Sequence, residues 1–151
     1  MIKDALVEIF ERDLRKLKEE IGLYANENDL WIVKAGISNS AGNLCLHLIG
    51  NLKHFIGAVL GQSGYIRDRD NEFAAKGVPR GQMLTSLDET IDVVTDTLKN
   101  MPDDRFDEDY PLEKRGEIVK TDHMMIHLLG HLGYHLGQIN YHRRLLGGAA
   151  S

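Results

Sequence analysis

The sequence predicts an all-α fold, a four-helix bundle with long crossover connections. Four segments place apolar residues at spacings of three and four, the period of an amphipathic helix. Only 3 prolines interrupt the 151 residues, so long helices are permitted almost everywhere. Two polar connections of about 20 residues are too long for tight helix hairpins, so we expect at least one of them to cross the bundle.

The first two helices are predicted from their apolar stripes. The first should run from about Lys3 to Tyr24, with charged residues between the apolar positions. After a loop, Asn39 or Ser40 can cap the second helix, which continues to Leu60. Because the second helix is apolar around most of its circumference, it should be the most buried of the four.

A polar connection is expected over residues 65–82, where breakers interrupt the helical pattern. A capping box from Ser86 to Glu89 then predicts the start of the third helix, which should end before Pro102. A second polar connection follows. The fourth helix is expected from Thr121 or Asp122 to about Leu146, with the glycine pair at 147–148 as its stop.

Composition and charge exclude several classes of protein. The formal charge of −5 argues against a nucleic-acid partner, because phosphate binding needs a concentrated basic face. No apolar stretch approaches the roughly 20 residues that span a bilayer, and the N-terminus lacks a signal-peptide core. The single cysteine, Cys45, excludes an internal disulfide and lies in an apolar run, which predicts a buried, inert thiol. We expect one cytoplasmic domain over residues 1–151, without a membrane partner.

Five of the 7 histidines fall in the predicted fourth helix, and four of these form a ladder with a step of four residues. The ladder consists of His123, His127, His131 and His135. A step of four advances about 40° beyond one turn, so neighbours share a face, whereas the first and last members diverge by about 120°. Only two consecutive members can therefore bind one metal ion, and the third ligand must come from another helix.

His47 in the second helix is the candidate for that third ligand. It lies in an apolar stretch, where a lone histidine is more often a hydrogen-bonded core residue. Burying several imidazoles without partners would cost about 1–3 kcal/mol each, and a shared metal ion would satisfy them together. His54 is expected at the rim of the site or beside a ligand, and His142 is expected to face solvent.

Three glycines share one face of the same helix, at Gly130, Gly133 and Gly137. A glycine inside a helix costs about 1 kcal/mol relative to alanine, so three of them need a structural reason. The favoured interpretation is the close approach of another helix or a second subunit, and the alternative is room for a substrate beside the metal.

The segment Gly130–Ile139, followed by Arg143 or Arg144, resembles the last-helix signature of the DinB-like (DinB/YfiT) superfamily of metal-dependent enzymes. His47, between two leucines, resembles the superfamily's second-helix histidine. The loop at residues 65–73 is similar to one branch of unknown function. The resemblance covers nearly the whole chain.

The resemblance implies a four-helix bundle, often homodimeric, with a three-histidine site for a divalent metal ion. Carried over position by position, the metal ligands are His47, His131 and His135, with His127 left by the ladder as a substitute for the last. Gln138 would support the bundle or a ligand. Characterised members of the superfamily include low-molecular-weight thiol transferases and a thiol-dependent isomerase, so a small-molecule substrate and a thiol cofactor are the expected partners.

Three neutral imidazoles leave a divalent ion its full charge and at least one open position, and zinc and nickel both accept such ligands. Such a site lowers the pKa of bound water to about 7 or binds a thiol as thiolate. The expected function is thiol S-transfer, with a metal-dependent hydrolase or a non-catalytic metal-binding dimer as alternatives. Asn51 and Tyr134 are the nearest candidates for a general base, but neither is a good base at neutral pH. No glutamate adjoins the motif as in His-Glu-x-x-His hydrolases.

Overall fold

A computed structural model describes residues 2–147, and over this range the chain is helical and contains no β-strand. The all-α prediction is therefore confirmed. The α-helices are α1 (Ile2–Leu23), α2 (Ala41–Leu52), α3 (Arg69–Ala74), α4 (Arg80–Asn100) and α5 (Thr121–Gly147). Short 3₁₀ helices lie at Glu27–Trp31 and Asp103–Asp107. Within the described range, none of the helices has the length and apolar character needed to cross a bilayer.

The four long helices form a bundle in which helices adjacent in sequence are not always neighbours. Helix α1 packs against α4 and α5, and α2 packs against the same two helices. Helices α1 and α2 are therefore diagonal to each other, as are α4 and α5. The connection at residues 101–120, which joins α4 to α5, thus runs between diagonal helices, as predicted for a crossover. Fully buried side chains from all four helices fill the centre, including Phe10, Leu48, Leu87 and Leu132.

Helix α2 is the most buried element, as its sequence predicts. Ser40 caps it, with Oγ accepting a hydrogen bond from the backbone N–H of Asn43 at 3.1 Å. Within α2 every residue except Leu46 is buried. The helix continues into a π-helical turn at Lys53–Ala58, where the hydroxyl of Tyr110 donates to the carbonyl of Phe55 at 2.7 Å.

The predicted start of the third long helix is wrong. Helix α4 begins at Arg80, directly after Pro79, and Ser86 lies inside it with its carbonyl accepting from the Thr90 hydroxyl. The early start is stabilised by tertiary contacts. Arg80 Nη1 donates to the carbonyl of Tyr24 at 2.6 Å, which ties the start of α4 to the end of α1, and Met83 is buried.

The polar connection predicted at residues 65–82 contains the six-residue helix α3. Asp68 caps this helix by accepting from the backbone N–H of Asn71 at 3.1 Å. The amide of Asn43 on α2 donates to the carbonyls of Glu72 and Ala75 at 2.9 and 2.8 Å. These hydrogen bonds hold α3 against α2 and place Glu72 beside the second helix.

Helix α5 begins at Thr121, as predicted, and extends through Gly147, while position 148 of the predicted glycine stop lies outside the described residues. An interaction with α1 fixes its C-terminal half. Glu20 accepts from Arg143 Nε at 2.8 Å and from Asn140 Nδ2 at 2.8 Å.

Candidate metal centre

Three histidines meet where α2 packs against α5. One nitrogen from each of His47, His131 and His135 lies within 4.8 Å of the others. The Nε2 atoms of His47 and His131 are 3.1 Å apart, and the ring centroids of His131 and His135 are 4.5 Å apart. The residues predicted as ligands are thus brought together, and they can hold one metal ion. We call them the histidine cluster.

The orientation of α5 decides which members of the ladder join the cluster. His131 and His135 are half-buried and one turn apart, on the side that faces α2. His123 and His127 are exposed and lie outside the cluster. The pair that the resemblance implied is therefore the pair that approaches His47.

Two cluster histidines have a hydrogen-bond acceptor at the nitrogen that faces away from the cluster. Nδ1 of His47 donates to Oε1 of Glu72 at 3.0 Å, and Nδ1 of His135 donates to Oε1 of Gln138 at 2.7 Å. These bonds assign the proton to Nδ1 and leave an Nε2 lone pair on each ring. Histidines that bind metals are commonly oriented in this way, and Gln138 supports a cluster residue as predicted.

Glu72 is itself held by an arginine. Glu72 is 6% exposed, and its carboxylate accepts from Arg67 Nε at 2.8 Å and Nη2 at 2.9 Å, the bidentate arrangement of a strong ion pair. Helix α2 accommodates the carboxylate because position 50 is glycine. A Cβ atom at Gly50 would overlap the Glu72 carboxylate.

His47 and His131 are neutral near pH 7 because their surroundings disfavour the charged form. Burial, followed by the charges of His135 and His47, lowers the pKa of His131 to about 4. Burial also lowers the pKa of His47, and this effect outweighs the opposing influence of Glu72. Neutral imidazoles have the lone pairs that metal coordination requires.

The residues fit a divalent transition-metal ion. Two nitrogens bound to one tetrahedral ion at about 2.0–2.1 Å lie about 3.3 Å apart, close to the 3.1 Å between the Nε2 atoms of His47 and His131. Nδ1 of His131 is buried and has no hydrogen-bond partner among residues 2–147, so the cluster is not a closed hydrogen-bond network. An all-imidazole donor set suits zinc, nickel and their neighbours, whereas calcium and magnesium prefer oxygen ligands.

The two residues considered as general bases differ in their surroundings. Asn51 is buried, and its Oδ1 has no hydrogen-bond partner within the described part of the chain. Tyr134 is 68% exposed, with its ring centroid 5.5 Å from that of His135. Neither residue is placed to hold a proton near the cluster as a carboxylate base would.

The two remaining histidines lie outside the cluster. His54 is half-buried in the π-helical turn, where burial, and then the charge of Arg67, lowers its pKa. This location agrees with the predicted rim position. The prediction that His142 faces solvent is wrong. Its Nε2 donates to the carbonyl of Ile32 at 2.9 Å and its Nδ1 accepts from the Tyr24 hydroxyl at 2.7 Å, so it joins α5 to the chain after α1.

The glycine face of α5 is open with respect to residues 2–147. A Cβ atom at Gly130, Gly133 or Gly137 would meet no atom of the described residues within 4 Å. Close approach by another helix of the same chain is therefore the wrong explanation. A second subunit and room for a substrate stay as the two predictions for this face.

Sequence reasoning missed Glu72, which lies 25 residues from His47 in a segment read as a connection. One signal was available. Gly50 lies three residues after His47 in an otherwise apolar helix, so both share a face, and an unexplained glycine there indicates the close approach of another group.

Fold and site together define an all-α protein with a three-histidine cluster that can hold a metal ion. The chain belongs to a family of proteins of unknown function, DUF1572, whose family model matches residues 4–150. No curated protein and no solved structure matches the chain.

Proposed function

We propose that this chain is a metal-dependent enzyme of the DinB-like superfamily that transfers a low-molecular-weight thiol to an electrophile. One zinc or nickel ion would be held by His47, His131 and His135. The observation that supports the proposal is the convergence of these three rings, two of which are oriented by Glu72 and Gln138.

A divalent ion in this position would supply Lewis acidity that favours the thiolate form of a substrate thiol. Glu72 and Gln138 hold two imidazole rings in the tautomer that leaves the Nε2 lone pair available, so these nitrogens would bind the ion. In the overall transfer a sulfur–carbon bond forms, the bond from carbon to the leaving group breaks, and the thiol proton leaves to solvent. The reaction therefore needs no oxidant, reductant or further reactant.

The surroundings of the cluster favour thiol transfer over hydrolysis. Hydrolysis benefits from a free carboxylate or a similar base beside the attacking water. Among residues 2–147, Glu72 is the carboxylate that contacts the cluster, and both of its oxygens are occupied by Arg67 and His47. A thiol needs no separate base once its pKa is lowered, so the arrangement suits a sulfur nucleophile better.

Metal content tests the first part of the proposal. Protein produced in medium with zinc or nickel should contain one metal ion per chain by elemental analysis. The His131→Ala variant should lose this ion. His127→Ala is the matched control, because it removes a histidine one turn away on the same helix and outside the cluster. Wild-type chain that binds neither metal, or equal metal content in both variants, would overturn the metal centre.

Activity separates the candidate reactions. Metal-loaded and chelated protein are compared with a panel of cofactor thiols and an electrophile such as bromobimane, and with generic ester, amide and phosphoester substrates. The proposal predicts metal-dependent thiol consumption and hydrolysis rates that do not depend on metal. Metal-dependent hydrolysis alone would favour the hydrolase. Loss of metal and thermal stability in His131→Ala, with no measurable reaction in wild type, would favour a non-catalytic bundle.

The homodimer implied by the resemblance stays a prediction. If two chains associate, the exposed face of α5 that carries Ile126 and the three glycines is where we expect contact, because close helix packing favours small residues. Sedimentation of wild type and Gly133→Leu over a range of concentrations tests this, and a monomer at every concentration would contradict it.

A further inference from the structure

A groove of about 530 Å³ opens beside the histidine cluster. His135 and Gln138 form part of its lining, and the groove continues between the C-terminal half of α5 and the chain that leads into α2. Its volume lies within the range of about 300–1,000 Å³ that is usual for small-molecule sites. The groove therefore joins the candidate metal centre to a space of ligand size.

The lining of the groove is mainly apolar. Leu44 contributes from α2, Tyr141 and Leu145 from α5, and Ile37 from the preceding loop. Three of these are large hydrophobic side chains left open to solvent, with Ile37 45%, Tyr141 64% and Leu145 75% exposed. Exposed apolar side chains gathered around one concave surface indicate a binding site for an apolar group.

One cation lines the groove without a counter-charge. The Lys34 ammonium has no ion pair or side-chain hydrogen bond with residues 2–147. None of the described residues that line the groove is acidic. An anionic group would therefore find an opposite charge in an otherwise apolar space, and it would meet no carboxylate.

We propose that the groove binds the thiol substrate of the proposed metal centre, and that this substrate is an amphiphile with three parts. Its sulfur reaches the cluster at His135, its apolar body lies along Leu44 and Ile37, and an anionic group at its other end meets Lys34. The inference rests on the proposed function and adds the substrate class. A small molecule fits better than a protein segment, because the volume of about 530 Å³ is that of a small-molecule site.

The test uses the full-length chain loaded with Co²⁺, because sulfur binding to cobalt gives a charge-transfer absorption band. The probes are mercaptocarboxylates of increasing chain length, from mercaptopropionate through mercaptohexanoate to mercaptoundecanoate. Each methylene that enters the groove should tighten the dissociation constant by about fourfold, until the groove is filled. The readout is the titrated absorbance, which does not require turnover.

Two substitutions in the groove test whether the thiol's apolar chain and its anionic group bind there. Ile37→Asp should weaken binding of the long thiols at least tenfold and leave mercaptopropionate nearly unchanged. The matched control is Ile118→Asp, because Ile118 is 55% exposed and lies outside the groove. Lys34→Met should remove the preference for mercaptohexanoate over the neutral mercaptohexanol without changing Co²⁺ affinity.

The outcomes separate the groove from the metal centre. If Co²⁺ and thiols bind, but neither chain length nor the Ile37 and Lys34 substitutions change affinity, the groove proposal is overturned and the metal centre stands. If Co²⁺ does not bind, the proposed function fails and this inference fails with it. If Ile37→Asp converts a dimer to a monomer in sedimentation, a second copy covers the groove and the proposal is overturned.

Discussion

Nδ1 of His47 lies 3.0 Å from Oε1 of Glu72, and this hydrogen bond joins the histidine cluster to the short helix α3. The carboxylate is held from its other side by Arg67, and the backbone of α3 is held by Asn43. The orientation of one cluster ring therefore depends on a segment that contributes no residue to the cluster.

Replacing Glu72 by glutamine should weaken metal binding about 10–100-fold, the usual effect of losing a carboxylate behind a ligating histidine. Glutamine keeps the volume but presents a neutral amide to His47 and Arg67, so His47 is held less firmly. The measurement is competition of the chain against a zinc chelator. Glu113→Gln, an exposed glutamate in the connection before α5, is the control. Unchanged affinity in Glu72→Gln would show that the contact does not orient His47.

Gly50→Ala should produce the same defect without replacing a polar side chain. The new methyl would occupy the space of the Glu72 carboxylate, which Arg67 and His47 hold in place. We expect a loss of about 1–3 kcal/mol in unfolding free energy, together with weaker metal binding. Gly81→Ala in α4 is the control, since a Cβ there meets nothing within 4 Å. The control should stabilise the chain by about 0.5–1 kcal/mol in urea unfolding. If Gly50→Ala and Gly81→Ala changed the unfolding free energy equally, the packing described at Gly50 would be wrong.

Periodicity was sufficient to predict the limits of α1 and α5, but not the start of α4 or the elements that depend on tertiary contacts. The limits of α1 and α5 follow from local patterns of apolar residues. Helix α3 has six residues, of which Glu72 alone is buried, so it has no apolar face to detect. Its position depends on hydrogen bonds from Asn43. The π-helical turn after α2 likewise contacts the hydroxyl of Tyr110, 55 residues away from Phe55.

In the candidate site too, local spacing predicted some residues, and others depend on tertiary contacts. A histidine pair on α5 is recognisable because the spacing of the ladder is local, and the cost of burying imidazoles made His47 the candidate third ligand. The resemblance was needed to select His131 and His135 from the ladder. Glu72 could not be assigned from spacing, because its approach to His47 requires α3 to fold against α2. His142 was misplaced since the two arginines after it suggested a solvent-exposed end, but its ring is held by Tyr24.

The thiol of Cys45 should be inert in the folded chain. The residue is completely buried, and burial raises the pKa of its thiol to about 12. Native protein should therefore not react with Ellman's reagent until it unfolds in urea. Rapid reaction of native protein would contradict the burial of Cys45.

The raised pKa of Cys45 also predicts a pH dependence. Because the folded pKa lies above the ordinary value of 9.0, the unfolded chain ionises first as pH rises. Stability should fall between pH 9 and about 12 through this group. Cys45→Ala should show a smaller fall, and the difference isolates the thiol, since Tyr24 and Tyr110 titrate in both chains. If the unfolding free energies of wild type and Cys45→Ala fell in parallel with pH, Cys45 would not contribute.

Glu20 joins α1 to the helix that carries the histidine pair, and its ionisation should control stability in acid. Burial raises the pKa of Glu20, but hydrogen bonds from Arg143 and Asn140 outweigh burial and leave the pKa below its ordinary value of 4.5. The unfolded chain therefore takes up the proton first as pH falls. The stabilisation is complete above about pH 4.5 and is lost as pH falls through the lower, folded pKa.

Glu20→Gln should thus destabilise the chain by about 1.5–3 kcal/mol at neutral pH, because it removes a charged hydrogen bond to Arg143. The difference from wild type should shrink as pH falls below about 4.5, since wild type loses the same charge there. Urea unfolding of both chains across this range measures the effect. Glu8→Gln, at an exposed position of α1, should change stability by less than about 0.5 kcal/mol. A difference between wild type and Glu20→Gln that persists in acid would assign the loss to side-chain packing and not to the ion pair.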